Sequence, residues 1–335
     1  MTVSQSAPTL DVVAIGNALV DVIAQADEAF LVAENLNKGS MQLIDGARAV
    51  ALYSKMGPGI EASGGSAANT VAGMAALGRK CGFIGQVADD QLGGVFTHDI
   101  RSIGVTFTTA PMTGTEPTGR CLILVTPDGQ RTMNTSLGVA NYLLESAVDQ
   151  ALIESAAVLY LEGYLWDLPE SRAAMARAIH IAKAAGRKVA FTLSDAFCIA
   201  RYRADFTAMI ANGDIDILFC NEAEILALVE GADFDAAVAQ VAPQVPMLVV
   251  TRSEQGATAV SGGVATHVAA EPIAHVVDTT GAGDLFAAGF LAGQAEGRSV
   301  HDSLTMGAVC AAEVISHYGP RPEADLKALV AAKFG

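Results

Sequence analysis

The sequence predicts an α/β protein, a doubly wound and mostly parallel sheet flanked by helices, with a smaller β-rich appendage. From residue 157 onward, short apolar strands alternate with helical stretches. The half before it holds a threonine-rich hairpin. Two glycine turns each run straight into a helix of small residues.

Val12-Val13-Ala14-Ile15 reads as the first strand, followed by the turn Gly16-Asn17-Ala18-Leu19-Val20-Asp21. An acid just beyond an apolar strand lies where open α/β sheets keep their ligands, and as a carboxylate Asp21 can accept from two adjacent hydroxyls. A solvated loop acid would look the same. Ser63-Gly64-Gly65-Ser66-Ala67-Ala68-Asn69-Thr70 then opens a helix that ends at Gly78. Backbone at Gly64 and Gly65 can approach a hydroxylated ligand, and Asn69 offers a donor and an acceptor. The plainer alternative makes Ser66 an N-cap and Asn69 a surface amide. Residues 105–109, 119–126 and 131–134, with the turn Pro127-Asp128-Gly129-Gln130, read as antiparallel hairpin.

Strands at 158–161, 189–193, 215–219 and 247–251 alternate with helices such as 171–185. Asn221, followed three residues later by Glu224, fits a capping box at a strand's carboxyl end. Thr251 and Gly256 bound an ordinary hairpin turn. Last comes Asp278-Thr279-Thr280-Gly281-Ala282-Gly283-Asp284, entering the apolar stretch 285–292. Gly281 and Gly283 leave first-turn amides open to a phosphate, and the helix dipole adds partial positive charge. Asp284 would face the attacking oxygen, and the dipole is expected to favour its ionised form. A weak base suffices for phosphoryl transfer, whose loose transition state asks for positioning and charge stabilisation. An aspartate merely capping the helix is the alternative.

Together, Gly64 to Asn69 and Asp278 to Asp284 resemble the paired signatures of the ribokinase-like (PfkB) family of carbohydrate and nucleoside kinases, and the likeness covers nearly the whole chain. It implies a ribokinase-like fold with a small β-sheet lid at about 17–45 and 105–135, the large domain taking about 1–16, 46–104 and 136–335. It also implies ATP and Mg2+. By resemblance, Gly281, Ala282 and Gly283 form the anion hole and Asp284 is the base, while Asn17, Asp21, Gly64, Gly65 and Asn69 bind the acceptor. Asn221 and Glu224 tune magnesium through water, and Asn221, Thr251 and Gly256 lie along ATP. Asp278 and the Thr280 carbonyl, near Ser316 and Gly319, mark a site for K+. Arg131 is a candidate to reach from the lid to the transferring phosphoryl group, or else an exposed edge-strand arginine.

Segments 192–197, 216–224 and 137–142 are similar to the adenosine kinase branch, which implies that Tyr164 stacks on a nucleobase flanked by Met133 and Thr135, with Met41 and Gln42 closing over it. A core aromatic at a strand end is the other reading of Tyr164. Ser66-Ala67-Ala68 departs from that branch towards bacterial sugar kinases. The expected activity is ATP-dependent phosphorylation of the 5′-hydroxyl of a ribonucleoside, adenosine first. A furanose sugar kinase is the alternative, and a non-catalytic metabolite sensor the reading from another class.

With 335 residues, half of them hydrophobic, the chain can bury a large core. Its net charge of −16 argues against nucleic acid and anionic membranes as partners. No Walker-type loop or dinucleotide fingerprint occurs. The longest uncharged stretch, 62–78, is interrupted by Ser, Asn and Thr, so no membrane span is expected. Segment 1–9 lacks the basic flank and apolar run of a secretory signal, which makes cytoplasm the default. Five cysteines without a Cys-x-x-Cys pair read as reduced core residues. The expected partner is a small-molecule nucleoside or sugar, with the protein a monomer or homodimer.

Overall fold

The structure is a computed structural model describing residues 7–114 and 116–335. The signal-peptide reading of segment 1–9 falls largely on residues 1–6, outside those described. The chain opens with β1 (Leu10–Ile15) and crosses at once into a second sheet as β2 (Leu19–Gln25). There it adds α1 (Glu28–Ala33), β3 (Met41–Leu43), α2 (Gly46–Tyr53) and β4 (Gly59–Gly64). It returns through α3 (Ser66–Ala76), β5 (Cys81–Ile84), α4 (Gln91–Ser102) and β6 (Thr106–Phe107), and revisits the second sheet as the hairpin β7 (Gly119–Val125) and β8 (Arg131–Ser136).

From there helix and strand alternate: α5 (Gln150–Glu154), β9 (Ala156–Glu162), α6 (Pro169–Ala184), β10 (Lys188–Thr192), α7 (Ala196–Ala211) and β11 (Ile217–Asn221). α8 (Glu222–Val229), α9 (Phe234–Val241), β12 (Met247–Thr251), β13 (Ala257–Ser261) and β14 (Val264–Val268) follow, then α10 (Ala282–Ala295), α11 (Val300–Val314) and α12 (Leu326–Phe334).

The main sheet has the order β14-β13-β12-β11-β10-β9-β1-β5-β6, parallel except for the β13 and β14 edge. Both faces are covered, and β1 shows why its strands read as continuous apolar runs. Val12 and Ala14 join the core beneath α3, α10 and α11, whereas Val13 and Ile15 join the one beneath α6 and α7. β1 lies between β5 and β9, which the chain reaches only later and on opposite sides, so a switch-point crevice opens beyond Ile15.

The small sheet has the order β3-β8-β7-β2-β4. One face closes on Val22, Leu31, Leu36, Ala49, Leu52, Leu122 and Leu124. By strand alternation the other face carries Asp21, Cys121, Ile123, Arg131, Met133 and Thr135, and Asp21, Cys121 and Thr135 stand in one cross-strand row. The lid therefore departs from the expected 17–45 and 105–135. It also takes α2 and β4, while residues 106–107 pair with β5 in the main sheet. β4 holds only one large apolar residue, Ile60, so it carries no strand signal; its pairing with β2 makes it a strand.

Helix starts explain much of the acidity. α1, α2, α4, α5, α7, α9 and α12 each begin at an aspartate whose side chain accepts a first-turn amide. α3 and α10 are exceptions: their N-caps are Gly65 and Gly281, both at positive φ and without a side-chain cap.

Candidate active site

The two helices that start at glycines lie against each other. A Cβ on Gly73 of α3 would lie 2.5 Å from Leu285 Cδ1 and 2.8 Å from Ala288 Cβ of α10, so the helices approach more closely than any larger residue allows. This contact brings their first turns together. Ser66 Oγ donates to Asp284 Oδ1 at 2.6 Å and Asn69 Nδ2 to Asp284 Oδ2 at 2.9 Å. Asn69 Oδ1 is buried without a partner, an acceptor left for a ligand. Asp284 keeps part of its surface open, and the amides of Gly283 and Asp284 donate to no protein acceptor among the described residues. Ala282 N is engaged by Thr279 O at 3.2 Å.

The expectation that the helix dipole would hold Asp284 as a weak base needs correction. Burial raises its pKa, and the hydrogen bonds from Ser66 and Asn69 and the charge of Arg321 offset this only in part.

Asp21, in β2, is buried, its carboxyl packed where a Cβ on Gly64 would meet it at 2.5 Å. Burial pushes its pKa up to about 7 against the pull of Arg321 and Arg131, with Asp284 and Asp278 adding to the rise. At Gly65 φ is +98° and a Cβ would lie 2.1 Å from Asn17 O, so only glycine fits there. Asn17 gives its backbone N and its Nδ2 to Glu162 Oε1, at 2.7 and 2.9 Å, and its Oδ1 is left without a partner. Glu162 Oε2 accepts from Ala67 N at 2.7 Å, joining the turn at Asn17 to the start of α3. Burial lifts the Glu162 carboxyl to about 7 despite these donors.

Arg131 is neither exposed nor on a free edge. It is buried, with Nη1 2.9 Å from Asp278 Oδ2 and its guanidinium 5.5 Å from the Tyr318 ring centroid. The Asp278 contact is a close ion pair off the hydrogen-bond direction, so Nε, Nη1 and Nη2 lack hydrogen-bond acceptors. A desolvated guanidinium beside the anion-hole turn is a ready phosphate donor. Asp278 Oδ1 accepts from Thr280 N and Oγ1, and Oδ2 from Gly319 N. Both carboxylate oxygens expected to hold K+ are thus engaged by protein donors.

The outlying residues divide. Asn221 and Glu224 form a complete capping box at the carboxyl end of β11, with Glu224 buried and raised to about 7. Thr251 ends β12, and Gly256 turns the chain at φ +83°, where a Cβ would meet Val268 O at 2.0 Å. Hairpin geometry accounts for both. Tyr164 is half-buried: its ring packs against the core under α7 and its hydroxyl donates to Ser194 O at 3.1 Å, contacts that fit a core aromatic at a strand end. Met133 lies on the cleft-side face of β8, half-buried; Thr135 bonds to Cys121 Sγ, and Gln42 to Asn134.

A family model described as pfkB family carbohydrate kinase matches residues 60–326. The chain belongs to this family. Two solved structures are similar over almost the whole chain. One is adenosine kinase from Sinorhizobium meliloti, 48% identical, covering 97% of this chain and 99% of that one at TM-score 0.90. The other is a probable sugar kinase from Rhizobium etli, 46% identical, covering 98% of each chain at TM-score 0.91. Adenosine kinase of Saccharomyces cerevisiae is 27% identical over 93% of this chain and 96% of its own.

Against the family signatures, sequence reasoning passed over three residues of this pfkB site. Ser66 was read as a possible N-cap, a position that belongs to Gly65. Glu162 had a signal, an acid closing an apolar strand at the sheet's ligand end. Arg321 had none, because its acceptors Ser63 and Ala68 lie 258 and 253 residues away.

Proposed function

We propose that this pfkB kinase transfers the γ-phosphoryl group of ATP to the 5′-hydroxyl of adenosine. The observation that carries it is Asp284, held by Ser66 and Asn69 beside two unengaged amides at the mouth of α10. Asn17, Asp21 and Asn69 would hold the ribose hydroxyls, and the acceptor's primary hydroxyl would give its proton to Asp284. Gly283 N, Asp284 N and the Arg131 guanidinium would stabilise the charge that develops on the phosphoryl oxygens. Met133, half-buried on the same lid face and backed by Ile123, would give a base an apolar wall. The extensive identity with the S. meliloti adenosine kinase supports adenine as that base.

Among the described residues no cluster of three or more His, Cys, Asp or Glu could hold a metal, so magnesium would arrive on the ATP phosphates, with Asn221 and Glu224 reaching it through water. Bound there it would neutralise phosphate charge.

ADP release with magnesium and ATP would be measured against adenosine, guanosine, inosine, ribose, fructose and 2-keto-3-deoxygluconate. The expected result is adenosine-selective turnover that Asp284→Asn lowers by roughly 10²–10⁴-fold. Turnover with free sugars alone would replace the reading with a furanose kinase, the alternative favoured by Ser66-Ala67-Ala68 and the R. etli relative. Tight adenosine binding without turnover would mark a sensor.

A further inference from the structure

Three consecutive residues in the loop after α11 touch both glycine turns. Gly319 N donates to Asp278 Oδ2 at 3.1 Å, and Pro320 fills the space beside Gly281, where a Cβ would lie 2.8 Å from Pro320 Cβ. Arg321 reaches the other turn. Its Nε and Nη2 donate to Ser63 O at 3.1 and 3.0 Å, Nη2 also to Ser63 Oγ at 3.1 Å, and Nη1 to Ala68 O at 2.9 Å.

We propose that Arg321 is a positioning residue for phosphoryl transfer, clamping the Gly64-Gly65 turn onto the Gly281–Gly283 turn and setting a fixed positive charge beside Asp21 and Asp284. This rests on the kinase reading. The fork geometry spans a strand end and a helix start that no shorter or single-point donor could hold together. All its hydrogen bonds go to carbonyl and hydroxyl oxygens, and among the described residues it forms no ion pair within the usual contact distance, so its charge stays available to the cleft. Both carboxyls feel that charge as a downward pull, while burial lowers Arg321 itself to about 10. The other groups facing Asp284 are Ser66, Asn69, Asp21, Tyr160, Glu162 and Tyr164. Those facing Asp21 are Arg131, Asp278, Asp284 and Cys121, and Asp99 faces Arg321.

Two variants separate charge from clamp. In Arg321→Met, amide exchange in 63–69 should speed up at least about tenfold, and exchange in 281–285 with it because Gly319 and Pro320 are released from their anchor, while β9 to β11 are unchanged; the charge-assisted hydrogen bonds lost are those to Ser63 and Ala68. The acid limb of kcat/KM should move to higher pH by at least about half a unit, since losing a positive neighbour raises a carboxyl pKa. Arg321→Lys keeps the charge and loses the fork. Its acid limb should stay at the wild-type pH while exchange at both turns still rises. Wild-type exchange at the two turns in either variant, or a uniform rise across the protein, overturns the clamp; a wild-type acid limb in Arg321→Met overturns the charge role. Should Arg321→Met not fold, the lysine variant decides on exchange. Exchange needs no acceptor, so a failure of the adenosine reading leaves this test intact.

Discussion

At the scale of single residues, the site depends on acids kept out of water. Asp21 sits in a buried lid row with a pKa of about 7, so near neutral pH it is only partly ionised. A carboxylate accepts from two adjacent hydroxyls, whereas the protonated form loses acceptor capacity. Acceptor KM should therefore rise as pH falls from 8 to 6. Asp21→Asn should bind more weakly and show no such dependence; steady-state kinetics across that range, finding the same slope in both proteins, would refute the assignment. Asn17, Asp21 and Asn69 were legible because each stands in a local pattern next to a glycine or a strand end. Ser66 and Arg321 were not, because their partners Asp284 and Ser63 come from distant parts of the chain.

At the scale of elements, α3 and α10 each start at a turn without a capping side chain, and the glycines of the two turns are not equivalent. Gly65→Ala must push against Asn17 O at 2.1 Å and adopt a φ of +98°. Gly283 is neither at positive φ nor near any atom that a Cβ would touch. Thermal melts should show Gly65→Ala destabilised by roughly 1–3 kcal/mol, the cost of a strained backbone, and Gly283→Ala near wild type. Both should lose kcat, the second because its methyl stands between the amides and the phosphate; full activity in Gly283→Ala would detach that turn from phosphate binding. The alternating strands and helices after residue 157 were legible because apolar runs bounded by glycine and acidic caps form whatever lies around them. β4 and β6 were not. Tertiary pairing alone makes a strand of Gly59–Gly64, and a threonine-rich stretch joined the main sheet through two residues.

At the scale of the whole molecule, the same buried acids tie function to stability. Asp21, Glu162 and Glu224 are each raised to about 7, well above their unfolded values. The folded state therefore holds protons that the unfolded chain would release, so their contribution is fully present below about pH 4 and is lost as pH rises through 7. Net charge of −16 pushes the same way, because self-repulsion grows as the acids ionise. Glu34 and Asp128 have lowered pKa values and act in the opposite sense only at acid pH, through ion pairs at the protein surface that contribute little. Calorimetric Tm of the ligand-free protein should fall steadily from pH 5.5 to 8. Glu162→Gln isolates one contributor: with its oxygen kept on Asn17, its amide would point an N–H at Ala67 N in place of an acceptor. That variant should melt lower at every pH and with a shallower slope, because the group that titrates is gone. An unchanged slope would mean that the pH dependence comes from surface charge, with the buried carboxyl at the root of the substrate turn contributing nothing to it.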